Sequence, residues 1–200
     1  MLTIATKWQS RRAAISNLVN FISQREVGDS PSDIEMDSAC ILVVVKENTR
    51  GFKETNFNVT KVIMELFISL CQYHGKARQA FLDWAAVDGT TLATEKIADK
   101  KLSAFASSLL TELCVVREPR TIHSTAYTVM GKIRAPLAHE ELIKWMKYFF
   151  DEFGAVSLGT GINDTVLFLL EVSLSFSQTD YYFVCFHRSN VSCLFLGVQL

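Results

Sequence analysis

The stretch Gly51–Leu70, GFKETNFNVTKVIMELFISL, decides the fold of this chain because a turn and one face of a helix follow each other within it. After the corner at Gly51 and Phe52, apolar residues recur three and four positions apart: Val59, Val62, Ile63, Leu66, Phe67 and Leu70. That spacing predicts a helix with one buried face. An ordinary turn needs only glycine and a polar residue. The pair Phe52–Lys53 therefore indicates contact residues at an exposed corner.

Helical spacing also precedes this stretch. Between Thr6 and Ile22 the apolar residues Ile15, Leu18, Val19 and Ile22 predict a first helix with one buried face. Ser32 and Glu35 have the spacing of a capping box and predict the start of a second helix. The β-branched run Ile41–Val45 would also suit a strand, but the cap and its neighbours favour a helix.

Further helices are predicted along the next hundred residues. The third helix extends from Asn56 to Tyr73, with Gly75 placed to end it. Three shorter helices are expected over residues 77–86, 91–97 and 102–114. Pro119 and Pro136 stand where a helix can begin, and they precede helices over residues 121–133 and 137–153. Gly154 is expected to end the last of these.

Corners that carry a basic residue recur along the chain. Lys7, Lys53, Lys101 and Arg134 are separated by 46, 48 and 33 residues. The first two intervals are close to the roughly 40–47 residues of a HEAT or armadillo helix pair. The sequence therefore predicts an all-α fold, an α-solenoid of antiparallel HEAT-like helix pairs. In such a stack the turns within the pairs line one edge, which is a binding surface.

Composition and charge exclude several classes of function. Twenty basic and 21 acidic residues leave a net charge of -1. This balance argues against the strong electrostatic field of one sign that is expected of a nucleic-acid-binding protein. The five cysteines are odd in number and contain no CxxC pair, which argues against a disulfide framework and a zinc site. We predict no cofactor. The N-terminus does not read as a secretory signal, and no uncharged apolar span of about 18 residues is present.

Four stretches taken together resemble a known family. They are KWQSRRAAISNLVNFI, GFKETNFNVTKVIMELFISL, EKIADKK and EELIKWMKYFFDEFG. In this order they resemble a TOG domain, the tubulin-binding HEAT array of the microtubule polymerase family, from about Thr6 to Gly154. The stretch GxKETNFxV is the most specific of the four.

The resemblance implies that the turns within the helix pairs bind a tubulin heterodimer or a microtubule end. It assigns the contacts to Trp8 at the first turn, Phe52 and Lys53 at the second, Lys100 and Lys101 at the third, and Arg134 near the fourth. The aromatic residue would supply buried contact area, and the basic residues would pair with acidic tubulin surface. Such binding should weaken with salt.

The chain departs from the family pattern at three places. Phe52 stands where a tryptophan is more usual, and Leu137 occupies a turn position that is usually polar or basic. The resemblance implies about six helix pairs, but it ends at Gly154, after the first helix of the fourth pair. We therefore divide the chain into a partial TOG or HEAT-repeat domain, residues 1–154, and a divergent hydrophobic tail, residues 155–200.

The tail differs sharply from the rest of the chain. It contains four charged residues, Asp164, Glu171, Asp180 and Arg188, out of 41 in the whole sequence. VLFLLEVSLSF suits a return helix or a strand, and DYYFVCFHRSNVSCLFLGVQL is rich enough in β-branched and aromatic residues for strands. One hypothesis is that the chain is a truncated reading of a longer gene.

Several alternatives remain beside the tubulin-binding interpretation. The chain could be a generic helical-repeat scaffold for another protein, or a truncated product that binds nothing. Cys71 and His74 share a helix face, but no third ligand or catalytic partner lies near them in sequence. LGTGIND lacks the lysine of a phosphate loop. Attachment of the apolar tail to a membrane is less expected than a location in the cytoplasm on the cytoskeleton. We interpret the chain as a non-enzymatic module.

Overall fold

The computed structural model describes residues 7–24, 31–77, 81–175, 183–185 and 194–196. Its main part is all-helical, as predicted. Eight helices follow one another: α1 (Trp8–Ser23), α2 (Pro31–Asn48), α3 (Phe57–Lys76), α4 (Asp83–Lys96), α5 (Ser103–Val116), α6 (Pro119–Met130), α7 (Pro136–Phe153) and α8 (Ile162–Ser175). A 3-10 segment, Ala155–Gly161, joins α7 to α8. The short strands β1 (Phe183–Cys185) and β2 (Leu194–Leu196) pair antiparallel.

Helices α1, α3 and α5 lie side by side, and α3 and α5 point the same way. Helix α3 contacts both α1 and α5. Near the starts of α3 and α5, Lys61 Nζ lies 4.7 Å from the ring of Phe105. Further along both helices, Gln72 Nε2 donates to Glu112 Oε1 at 2.9 Å. The starts of α3 and α5 contact each other, and so do their later turns. The two helices are therefore parallel.

The even-numbered helices form a second layer that runs in the opposite direction. The first half of α2 meets the end of α3, where Ser38 Oγ and His74 Nε2 are 2.9 Å apart. In the same way Phe81, just before α4, accepts at its carbonyl from Arg117, just after α5. Helix α2 is therefore antiparallel to α3, and α4 is antiparallel to α5. This arrangement is compatible with a helical repeat.

The interior is centred on α3 and is built from aromatic and aliphatic side chains. The ring of Phe67 is fully buried and makes edge-to-face contacts with Phe52 and Phe81, at centroid distances of 5.2 and 6.4 Å. Such pairs prefer this geometry because a positive ring edge meets a negative ring face. Burial on one side of each helix follows the spacing seen in the sequence, and Ile41–Val45 is helical, as predicted.

Two predicted helix boundaries are wrong, and glycine is the cause of both. Parts of the two helices expected over residues 77–86 and 91–97 belong to one helix, α4, which begins at Asp83 and continues through the buried Gly89. A methyl group at Gly89 would lie 3.2 Å from Phe67 and 3.3 Å from Leu113. This glycine serves close packing between helices instead of breaking one. Gly75 likewise lies inside α3, which continues to Lys76.

Other predicted boundaries are confirmed. Pro119 and Pro136 begin α6 and α7, where the missing N–H costs nothing. Gly154 ends α7 with a φ of 73°, a backbone conformation that favours glycine. The capping interaction predicted for Ser32 and Glu35 lies outside the described side chains.

The beginning of the predicted tail packs on the helices before it. Residues 166–175 of VLFLLEVSLSF form most of α8, which is the return-helix alternative of the two predictions. The ring of Phe168 stacks on Tyr127 of α6 at 4.5 Å, and Thr165 Oγ1 lies 2.7 Å from Tyr127 Oη. Packing therefore continues past Gly154, and the division of the chain at that residue stays a prediction.

One segment, Ala155–Val172, is long and apolar enough to span a membrane by length and composition, with a mean hydropathy of 1.3. This is weak evidence, because core helices pass the same test. Within the segment Gly159 has φ 51° and ψ -124°, which interrupts the helix, and Phe168 is buried against α6.

Candidate partner-binding edge

The four predicted turns lie at the starts of the odd-numbered helices. We call them the first corner (residues 7–11), the second corner (49–57), the third corner (97–102) and the fourth corner (131–135), and together the turn edge. Two contacts join neighbouring corners. Arg11 donates to Glu54 Oε2 from Nη2 at 2.7 Å and from Nε at 3.0 Å. Lys101 Nζ lies 4.6 Å from the centre of the Phe57 ring. The first three corners are thus adjacent.

The second corner has an unusual backbone. Three consecutive residues, Arg50, Gly51 and Phe52, have φ values of 54°, 74° and 66°. Two of them carry a Cβ, for which this region is unfavourable. The turn is held by a hydrogen bond from Gly51 N to Lys46 O at 2.8 Å and by burial of the Phe52 ring. Strain of this kind persists only where surrounding contacts enforce it.

Phe52 is buried, and the expectation that its ring offers contact area to a partner is wrong. The side chain is 3% exposed and packs edge-to-face on Phe67. The left-handed backbone turns the ring toward the core, where burying a large aromatic is favourable. Lys53, the next residue, is exposed. Phe52 therefore anchors the corner and fixes the backbone position from which the Lys53 side chain extends.

The end of the second corner is fixed by further polar contacts. Glu54 is 8% exposed, and Arg11 neutralises its charge. Its carbonyl also accepts from Thr60 Oγ1 at 3.2 Å. Asn56 caps α3 by accepting from Asn58 N at 3.0 Å. Because a buried carboxylate needs a partner, Arg11 and Glu54 tie α1 to this corner.

The third corner is built around Asp99. Its side chain accepts from Lys101 N at 2.9 Å, and its carbonyl accepts from Leu102 N and Ser103 N at 2.8 and 2.7 Å. Ile97 and Leu102 are buried on either side. Lys100 and Lys101, between them, are exposed, as the sequence predicted for contact residues.

The first and fourth corners are held less tightly. Trp8 is half-buried against the core at the first position of α1, beside the exposed Lys7. At the fourth corner, Ile133 is half-buried and donates from its backbone to Met130 O at 2.9 Å. Arg134 next to it is exposed.

A common pattern connects the corners. At each one an apolar side chain packs inward and a neighbouring basic side chain is exposed, in the pairs Trp8 with Lys7, Phe52 with Lys53, Leu102 with Lys101, and Ile133 with Arg134. The arrangement places cations at set positions on short, anchored turns. It suits recognition of an acidic surface.

Sequence reasoning overlooked Phe57. This first residue of α3 is 39% exposed beneath Lys101, whereas the next apolar positions, Val59 and Val62, are buried. Phe57 falls outside the buried stripe that begins at Val59, which is the signal that could have identified it.

The groups considered for catalysis lie in the interior. Burial raises the pKa of the Cys71 and Cys114 thiols, with Glu112 as a second cause at Cys71, so the reactive thiolate is disfavoured. His74 Nε2 meets Ser38 Oγ and does not join Cys71 in a ligand set. Across the described part of the chain, no group of three or more His, Cys, Asp or Glu residues is placed to hold a metal ion.

Comparison with known proteins shows a distant similarity to a centrosomal protein. Centrosomal protein 224 from Dictyostelium discoideum is 24% identical over 157 residues, which cover 78% of this chain and 7% of that protein. The chain thus spans a small part of the relative's length. No family model matches, and no solved structure matches.

Proposed function

We propose that this chain is a tubulin-binding module without enzymatic activity, part of a TOG-type HEAT array of a microtubule-associated polymerase. Its exposed basic residues Lys53, Lys100, Lys101 and Arg134, with Trp8 at the first corner, would contact a tubulin heterodimer. The array would hold tubulin along the turn edge so that a longer protein with several arrays can deliver it to a growing microtubule end. A single incomplete array should bind weakly, and this chain alone is not expected to polymerise tubulin, because delivery depends on several linked arrays.

One observation carries the proposal: exposed cations on successive corners stand beside buried anchors, and two contacts hold the first three corners together. Basic groups held in place lose less entropy on binding than mobile ones. Tubulin is the proposed partner because an acidic protein surface complements such a row, and because the sequence resembles TOG domains. The HEAT-type solenoid is proposed on the same grounds.

The distant relative supports the cellular setting. The name of that protein places it at the centrosome, which favours a cytoskeleton-associated location for this chain.

The experiment is size-exclusion chromatography of the purified chain mixed with unpolymerised tubulin. The unaltered chain should co-elute with tubulin at low salt and separate from it as salt rises. The double variant Lys53→Glu with Lys101→Glu should not co-elute. The matched control is Lys76→Glu with Lys147→Glu, which reverses the same charge at exposed lysines of α3 and α7 away from the corners.

Two outcomes would contradict the proposal. Absence of co-elution by the unaltered chain removes tubulin as the partner. Equal loss in the edge and control variants would show that total charge, and not the turn edge, governs binding. In that case a generic helical scaffold becomes the better description. Thermal unfolding of all variants confirms that each is folded.

A further inference from the structure

The second and third corners share a contact between an aromatic ring and an ammonium group. Phe57 begins α3, and Lys101 belongs to the turn before α5. The Lys101 Nζ atom lies 4.6 Å from the centre of the Phe57 ring, within the range of a cation–π interaction. Both side chains are exposed, Phe57 at 39%. The pair is therefore at the surface and is assembled from two helix pairs.

Hydrogen bonds fix the backbone around both partners, from Asn58 N to Asn56 Oδ1 beside Phe57 and from Lys101 N to Asp99 Oδ1. Asn56 caps the helix that begins at Phe57, and Asp99 accepts from the Lys101 backbone N–H. A free lysine loses much side-chain entropy on binding. A lysine held against a ring has lost part of that freedom already, and its ammonium still carries N–H donors directed away from the ring.

We propose that Phe57 and Lys101 form one contact unit for an acidic side chain of the partner. In this unit Lys101 donates to a partner carboxylate, and the exposed part of the Phe57 ring contacts an apolar group beside it. Phe57 thereby supplies the aromatic contact that the sequence assigned to Phe52. The inference rests on the proposed function for its partner, tubulin, but the geometry of the unit is independent of it.

Loss of the Phe57 ring and loss of the Lys101 charge should affect tubulin binding and its salt dependence in different ways. Phe57→Ala removes the ring and keeps the charge, so tubulin binding should weaken about fivefold with an unchanged dependence on salt. Lys101→Met removes the charge, so binding should weaken and its salt dependence should become shallower. Phe57→Leu, which retains apolar area, should fall between Phe57→Ala and the unaltered chain.

Phe21→Ala is the matched control. Phe21 is 52% exposed near the end of α1 that lies away from the corners, so its removal should leave tubulin affinity unchanged. Equal affinity of Phe57→Ala and the unaltered chain would overturn the inference while leaving the proposed function intact. Failure of the unaltered chain to bind tubulin would overturn both.

The geometry has a readout that does not need tubulin. A methylene next to an ammonium held over a ring is shifted upfield in the proton NMR spectrum. The ε-methylene of Lys101 should show this shift, and Phe57→Leu should abolish it without changing the thermal unfolding midpoint. An unshifted Lys101 methylene in the unaltered chain would show that the unit does not form in solution, and would overturn the inference.

Discussion

The second and fourth corners each present two exposed basic residues, Arg50 and Lys53 at one and Lys132 and Arg134 at the other, but the chain holds the two corners in different ways. At the second corner three residues have positive φ, a phenylalanine is buried, and the ion pair between Arg11 and Glu54 adds a tie to α1. At the fourth corner, Ile133 is half-buried and the turn is closed by backbone hydrogen bonds from Lys132 and Ile133.

This difference shows that a corner can carry a basic residue without holding it in a fixed position. Lys53 follows Phe52, whose buried ring cannot move without exposing the core. Arg134 follows Ile133, whose half-buried side chain loses fewer contacts when it moves. An ordered group forms contacts at a lower entropic cost. We therefore expect the second corner to contribute more to stability and to binding than the fourth.

The largest effect should come from removing the anchor of the second corner. Phe52→Ala should lower the free energy of unfolding by about 3–4 kcal/mol, because it leaves a cavity beside Phe67 while the strained backbone remains. Ile133→Ala should cost only about 1 kcal/mol, because that side chain is half-buried. Urea denaturation followed by circular dichroism measures both. Equal losses would erase the distinction between the corners.

Acid should weaken the end of the molecule that carries the fourth corner. His123 of α6 is buried among Trp145, Phe149 and Phe150, with Nδ1 2.9 Å from Tyr127 Oη. Burial lowers the pKa of His123 from 6.5 to about 3. Its neutral form is required in the folded state, while the unfolded chain binds a proton below pH 6.5.

The sign of the effect follows from that order of pKa values. The contribution of neutral His123 to stability is fully present above pH 6.5 and is lost progressively as the pH falls toward 3, because only the unfolded chain takes up the proton in that range. Hydrogen exchange at pH 4.5 should show α6 and α7 less protected, with the second corner less affected. His123→Phe should flatten the pH profile of the unfolding free energy between pH 6.5 and 4.5. A variant whose profile matches the unaltered chain would disprove this assignment.

The ion pair between α1 and the second corner should have an intermediate effect. Arg11→Met leaves Glu54 buried without this partner, so stability should fall by about 1.5 kcal/mol, a value reduced for the partial exposure of Arg11. Adding Glu54→Gln should restore part of the loss. A double-mutant cycle from urea denaturation measures the coupling, and a coupling energy near zero would mean that the pair does not tie the corner to α1.

The smallest difference concerns tubulin binding under the proposed function. Lys53→Glu should weaken binding about tenfold and Arg134→Glu about threefold, because the anchored charge is better placed. Microscale thermophoresis at constant salt measures both. A larger loss from Arg134→Glu would reverse the ranking of the two corners.

The positions of the helices could be predicted well from the sequence, but the structural roles of the glycines could be predicted less well. The apolar stripe from Val59 to Leu70 and the prolines at 119 and 136 report local preferences, and these survive folding. Gly89 looks like a break in sequence, but its smallness serves contact with Phe67, a residue distant along the chain. The need for close approach becomes visible only once the helices are packed.

The candidate site shows the same division. The sequence by itself determined that basic residues fall at the corners, because charge and turn chemistry are local properties, and Lys53, Lys100, Lys101 and Arg134 are all exposed. Only the tertiary structure decided which aromatic is buried, since the left-handed backbone turns Phe52 toward Phe67, while Phe57 meets a lysine 44 residues away. Such contacts depend on the direction of each side chain after packing, which spacing along a chain does not specify.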